Sequence, residues 1–217
     1  MTDIELFSYE ACPFAQRTRI ILNEKKVKYR LTEIDLQNKP SWWKELSPLG
    51  KVPLIRHEGK VIYESRIINE YIEELIPEPR LMPKDLYSRA IARIWIDYCD
   101  TYLLPTLHNF IQTKDNKKKQ DENKIILTEK LLFIENEAFK LSDSGLYFIG
   151  NRLSLVDIQF IPFFERFPCY EYFWNAQIPK ECTKILNWIN VMKKNKNYLS
   201  TANSLDFHME RYRKYNQ

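Results

Sequence analysis

A chain of 217 residues, 44% hydrophobic and 29% charged, is long enough to bury a core and has the composition of an ordinary globular protein. Only four glycines argue against a glycine-rich phosphate loop, and no apolar run reaches the length of a bilayer span. The formal net charge of +4 arises beyond residue 80, much of the excess of Lys and Arg lying in segments 114–124 and 211–214. These read as a solvated loop or frayed helix end and an exposed terminus, so neither nucleic acid nor membrane is expected as a partner.

In chain order, Ile4, Leu6 and Phe7 predict a first strand. The start carries Asp3 and Glu5 and no apolar signal region, which predicts a cytoplasmic protein. Cys12 follows, ahead of Phe14, Thr18, Ile21 and Leu22 at helical spacing. A cysteine at such a strand-to-helix turn meets unpaired backbone N–H groups and the positive end of the helix dipole, both of which favour a thiolate. Pro13 suits the first helical turn, where its missing N–H is not needed. Ala15 stands where a two-cysteine redox motif would carry its second thiol, so a resolving thiol must come from outside the chain. Arg17, Thr18 and Arg19 are compatible with an electropositive surround or with plain helix surface. The other cysteines (Cys99, Cys169, Cys182) lack metal-ligand spacing and a disulfide framework, so no metal and a reducing compartment are expected. Cys99 reads as core, and the other two as core or surface.

Alternation of Val27, Tyr29 and Leu31 with Lys28, Arg30 and Thr32 predicts a second strand over 27–35. Residues 38–49, with Pro40, Trp42, Trp43 and Pro48, read as an irregular connection containing a short helix, over which the two tryptophans pack. Pro53–His57 and Val61–Tyr63 predict an antiparallel hairpin about Glu58-Gly59-Lys60. Ile67, Ile68, Tyr71, Ile72 and Leu75 form one face of a helix over 65–76. Prolines 77, 79 and 83 mark a linker. Everything beyond it is helical in pattern, with stripes at Leu86, Ala90, Ile91, Ile94, Trp95 and Tyr98 (broken near Pro105), over 125–141, and at Ile185, Trp188, Ile189 and Met192. Ser154 and Asp157 form a capping-box-like pair before a helix that is apolar nearly all round, which predicts a central helix and a structural role for Asp157. The chain thus divides into an α/β domain over 1–76, a linker over 77–84 and an all-α domain over 85–217.

Four short motifs, Cys12-Pro-Phe-Ala-Gln-Arg17, Lys51-Val-Pro53, Glu64-Ser65 and Ser154-Leu-Val-Asp157, stand in the order seen in glutathione S-transferases. The chain most resembles the cysteine-type lambda and omega classes and their dehydroascorbate reductase relatives, over nearly its whole length. The resemblance implies a thioredoxin-like N-terminal domain followed by a helical one, with glutathione as co-substrate. It implies a cis bond before Pro53, with the Val52 backbone pairing with the cysteinyl part of glutathione. It implies that Glu64 and Ser65 take the γ-glutamyl end, with Ser65 capping the next helix. A plain helix cap beside a surface acid is the alternative reading of that pair. Lys39 and Lys51 fall near the family's glycyl-carboxylate site, or are merely solvated; Phe14 falls beside the sulfur, or in the core.

The expected function is a glutathione-dependent thiol transferase (deglutathionylation or dehydroascorbate reduction) acting through a Cys12–glutathione mixed disulfide. The second substrate would be a small electrophile or a mixed disulfide. Two alternatives are conjugation of glutathione, with Tyr9 or Ser8 activating its sulfur, and a non-enzymatic interaction protein on the same fold. The second substrate is expected in a cleft between the domains, lined by Tyr98, Tyr102, Phe110, Tyr170, Phe173 and Trp174. Family members occur as monomers or homodimers.

Overall fold

The computed structural model describes residues 3–143 and 145–216, so the outermost ends of the predicted domains lie outside the described residues. Two compact units divide after Leu81.

In the first unit, β1 (Ile4–Ser8), α1 (Pro13–Glu24) and β2 (Tyr29–Glu33) are followed by the short α2 (Trp43–Leu46), the hairpin β3 (Leu54–His57) and β4 (Lys60–Tyr63), and α3 (Ser65–Leu75). The sheet order is β2-β1-β3-β4, with β1 parallel to β2 and antiparallel to β3. All five residues of β1 are buried, as expected of an inner strand covered on both faces. On one side Phe7 joins Ile34, Trp43, Val52 and Leu54 in a cluster. The charged Glu5 is accommodated there by Arg30, Arg56 and the Thr32 hydroxyl. Glu58 and Gly59 both have positive φ (50° and 76°), the backbone of a two-residue hairpin turn whose twist matches that of the strands.

Two apolar residues lie where alternation and helical spacing did not put them. Leu31 is 47% exposed because β2 is the sheet edge, and Ile67 is 51% exposed while Ile68 and Ile72 fill the core side of α3. The chain leaving α3 is fastened back onto the unit. Lys25 pairs with Glu73 and donates to the Pro79 carbonyl (2.7 Å), and Glu73 accepts the Leu81 N–H (2.9 Å). Both charges are buried. Glu73→Ala is therefore expected to cost about 3–5 kcal/mol by stranding Lys25, with part regained on adding Lys25→Met; denaturant midpoints measure both, and a loss below ~1 kcal/mol would show the pair to be dispensable.

The second unit is helical apart from a short parallel pair, β5 (Leu141–Ser142) and β6 (Ile149–Gly150). α4 (Leu86–Tyr98) runs through a π turn at Cys99–Leu103 into α5 (Leu104–Gln112), so the chain stays helical through Pro105, which sits in the first turn of α5. α4 buries Ala92, Trp95 and Ile96, while Leu86 and Ile94 face outward, so the covered face is rotated from the predicted stripe. α6 (Lys117–Phe133), N-capped by Asn116, takes in most of the lysine-rich segment, which is thus the end of a helix, the second of its two readings, and α6 ends in a second π turn at Ile134–Ala138. α7 (Leu155–Glu165) is buried from Leu155 to Phe164 and lies at the centre, followed by α8 (Phe167–Trp174), α9 (Thr183–Met192), α10 (Lys196–Leu199) and α11 (Leu205–Asn216).

The start of α7 is held by Asp157, which is fully buried. Its carboxylate accepts the Ser154 N–H (2.8 Å), completing a capping box. It also accepts the Ser154 hydroxyl (2.6 Å), the Phe148 N–H (3.1 Å) and the Trp188 indole N–H (2.8 Å). One carboxylate thereby ties together the chain before α7, α7 itself and α9. Phe148 and Phe164 each meet Trp188 edge-on around it. Burial raises the Asp157 pKa to about 6 against these four donors.

Candidate active site

β1 ends at Ser8, and the chain turns so that the Cys12 N–H donates to the Tyr9 carbonyl (2.9 Å). Cys12 is then the N-cap of α1, extended at φ −78°, ψ 118°, with Pro13 in the first turn. Its side chain makes no capping hydrogen bond. The sulfur, half-buried, instead points across to the Val52 carbonyl at 3.7 Å. The positive end of a twelve-residue helix thus lies under Sγ and favours negative charge there.

Val52–Pro53 is cis, as the resemblance implied, and leads directly into β3. The loop before it is a tight turn: the Gly50 N–H donates to the Ser47 carbonyl (2.9 Å), and the Ser47 hydroxyl bridges the Lys51 N–H and carbonyl (3.1 Å each). Gly50 has φ +62°, which glycine adopts without steric cost. A Cβ there would come within 3.5 Å of Lys39 Nζ, so this ammonium lies over the loop that carries Lys51.

On the far wall, Glu64 has φ +70°, ψ 113°, a strained backbone for a residue with a side chain. Such strain concentrates at ligand clamps and switches. Glu64, not Ser65, is the N-cap of α3. Ser65 is the first helical residue, buried, and its hydroxyl accepts from Arg17 Nη1 at 3.3 Å.

These residues surround one cavity of about 380 Å³, a volume suited to a small ligand. The predicted site residues Cys12, Phe14, Lys39 and Lys51 line it, as do Val52, Pro53, Glu64 and Ser65. Phe14, open between core and site in the sequence, is 37% exposed and faces the cavity. Leu36, Ser47, Leu49, Gly50 and Tyr63 also line it and were not anticipated; the turn signal at Pro48-Leu49-Gly50 was the only local hint.

The two hydroxyls of the conjugation alternative are placed elsewhere. Ser8 is fully buried and accepts from Arg19 Nη1 at 2.8 Å, and Tyr9 packs against the Phe7–Trp43 cluster. Neither lines the cavity. Trp43 is core and Trp42 lies edge-on to Phe7, also outside the cavity.

Of the residues expected to line a second-substrate cleft, three are corrected by their burial. Phe110, Tyr170 and Trp174 are 0%, 5% and 6% exposed and pack together with Tyr212. They are core: Tyr170 and Trp174, four residues apart on α8, turn the same way and meet Phe110 of α5, while Tyr172 between them is exposed. Phe173 is half-buried beside Trp174. Tyr98 and Tyr102 are different: they stack at 5.2 Å, Tyr102 is exposed, and Lys130 Nζ lies 5.3 Å from the Tyr102 ring. Cys99, Cys169 and Cys182 are all buried, and burial pushes the last two thiols up to about 11. Among the described residues no cysteine is in a disulfide, and no group of three or more His, Cys, Asp or Glu is placed to hold a metal ion. No described helix is long and apolar enough to cross a membrane.

A thioredoxin-like unit with a cysteine facing a cis-proline loop, followed by a helical unit, defines a class, and the comparisons agree with it. Residues 11–75 match the glutathione S-transferase N-terminal domain family. Glutathione S-transferase U24 of Arabidopsis thaliana is 37% identical over 86% of this chain and 83% of the relative, and L3 of the same plant 36% over 90% and 80%. Glutathione S-transferase omega-1 of Sus scrofa is 34% identical over 77% and 68%. The crystal structure of rice GST1 in complex with glutathione superposes with a TM-score of 0.87 at 27% identity, covering 99% and 98% of the two chains. The chain belongs to the glutathione S-transferase family, whose co-substrate is glutathione.

Proposed function

We propose that this protein is a glutathione-dependent thiol transferase in which Cys12 carries the glutathionyl group. The observation that supports this most is a half-buried sulfur at a helix N-cap sharing one cavity with Lys39, Lys51, Glu64 and Ser65. The Cys12 thiolate attacks the glutathionyl sulfur of a mixed disulfide: a Cys12–glutathione disulfide forms, the substrate S–S bond breaks, and the substrate leaves as a thiolate that takes a proton from solvent. A second glutathione thiolate then attacks the Cys12–glutathione disulfide, giving oxidised glutathione and regenerating the Cys12 thiolate. Ala15, packed inside α1, leaves the second step to glutathione. Dehydroascorbate reduction joins this cycle one step later: the Cys12 thiolate adds to a carbonyl carbon, a glutathione thiolate attacks Sγ and breaks the S–C bond to release ascorbate, and a second glutathione resolves the Cys12–glutathione disulfide.

In this reading Glu64 balances the ammonium of the γ-glutamyl end and Ser65, at the start of α3, takes its carboxylate. Lys39 and Lys51 meet the glycyl carboxylate. Tyr98 and Tyr102 remain as candidates for contact with the second substrate. A reducing, cytoplasmic setting suits a cycle that consumes reduced glutathione.

Intact-mass measurement of the native protein after exposure to oxidised glutathione tests this directly. One adduct is expected, on Cys12, removable by reduced glutathione. The other three thiols are buried and should react only after denaturation. No adduct, or an adduct on another cysteine, would overturn the reading.

A further inference from the structure

The sheet of the first unit carries a second recess, of about 450 Å³, that shares no lining residue with the cavity of Cys12. Its floor is three adjacent strands. Glu5 and Phe7, two apart on β1, point to one face; Arg56 of β3 stands opposite Glu5, and Thr32 of β2 beside Phe7. One wall is α2 with the residue before it, where Trp42, Glu45 and Leu46 share one side at helical spacing. Trp43, between them in sequence, is wholly buried.

The charges around this recess are unequally committed. The Glu5 carboxylate is buried and already takes three donors, Arg30 Nη2 (2.9 Å), the Thr32 hydroxyl (2.8 Å) and Arg56 Nη2, so it has little left to offer a cation. Arg56 is the opposite case. Among the described residues Glu5 is its one hydrogen-bond partner, through a single nitrogen, whereas a guanidinium carries five N–H donors. Its central carbon lies 5.7 Å from the Phe7 ring centroid, so the group is held between a carboxylate and an aromatic face. Two arginines against one glutamate leave the strip Arg30–Glu5–Arg56 with net positive charge. Trp42 is 44% exposed and meets Phe7 edge-on at 6.1 Å, which leaves indole surface uncovered at the recess. Glu45, exposed on α2, repels an acid group from that wall and so directs it to Arg56. A tryptophan surface and an arginine already held in place fit a flat apolar body that ends in an anion.

We propose that this recess is a second ligand site, for a small aromatic carboxylate whose acid group pairs with Arg56 and whose ring lies against Trp42. A volume of this size suits such a ligand. None of the lining residues takes part in the thiol-transfer cycle, so the two sites can be filled together.

Calorimetric titration with 2-naphthoate tests this, with 2-naphthamide as its neutral twin and 2-naphthylmethylammonium as the cation. One saturable site is expected for the acid, with amide and cation at least about tenfold weaker. Saturating glutathione should leave the affinity for the acid within about twofold. Arg56→Gln is expected to weaken the acid by about tenfold or more and the amide by less than about threefold. Trp42→Leu, at an exposed position, should weaken acid and amide alike by about three- to tenfold, and it carries the comparison if Arg56→Gln fails to fold. Neither variant should change thiol-transfer turnover. Competition by glutathione would place the probe in the cavity of Cys12 and overturn the proposal. So would native affinity for the acid in either folded variant, a preference for the amide or the cation, or no saturable binding.

Discussion

Cys12→Ser is expected to lower thiol-transfer turnover to below about one thousandth of the native rate while leaving the dissociation constant for glutathione within about threefold. The two outcomes separate because the sulfur and the wall proposed to bind glutathione belong to different parts of one cavity. Sγ is presented by the N-cap of α1, whereas Lys39 stands on the loop before α2, Lys51 on the loop before β3, and Glu64 and Ser65 at the start of α3. A serine hydroxyl is close in shape but is not ionised at neutral pH, and its oxygen cannot form a disulfide. Turnover with a glutathionylated peptide and equilibrium binding of reduced glutathione check the two halves. Undiminished turnover would remove Cys12 from the mechanism, and loss of binding in a folded variant would show that the sulfur itself anchors the ligand.

Asp157→Ala is expected to lower stability by about 3–5 kcal/mol near neutral pH. It leaves the N–H groups of Phe148, Ser154 and Trp188 inside the protein without the carboxylate they share. The pH dependence gives a second readout. Burial raises this carboxyl from 3.8 to about 6. In that window the folded chain keeps a proton that the unfolded chain has released, so the contribution of Asp157 to stability falls as pH rises from about 4 to 6. At 1.36 kcal/mol per unit the change is on the order of 3 kcal/mol. The gap between native protein and Asp157→Ala should therefore widen as pH is lowered from 7 to 4. Urea unfolding at several pH values measures it; a constant gap would mean that the carboxyl titrates normally.

The order of elements and most of the lining of the candidate site could be read from the sequence because their signals are local. Cys12-Pro13, Val52-Pro53 and Glu64-Ser65 each sit where one element gives way to the next, and breakers and caps mark such junctions. What the sequence does not carry is which of two apolar faces will be covered. Leu31, Ile67, Leu86 and Ile94 satisfy the periodicities of strand or helix, yet lie outside because the neighbouring element falls on the other side. The same limit explains Phe110, Tyr170 and Trp174, where aromatic density was read as a binding surface and turned out to be packing. The cap of α3 was misassigned by one residue, since serine is the better capping side chain and nothing in a glutamate announces a positive φ. Ser47 and Tyr63 reach the cavity only through tertiary folding of the loops that hold them.

All the cavity's walls come from the stretch between positions 12 and 65, well ahead of the division after Leu81. On the thiol-transfer reading, the nucleophile and its peptide partner are thus encoded in the opening third of the chain. Drift in the remaining two thirds therefore alters no residue that lines this cavity.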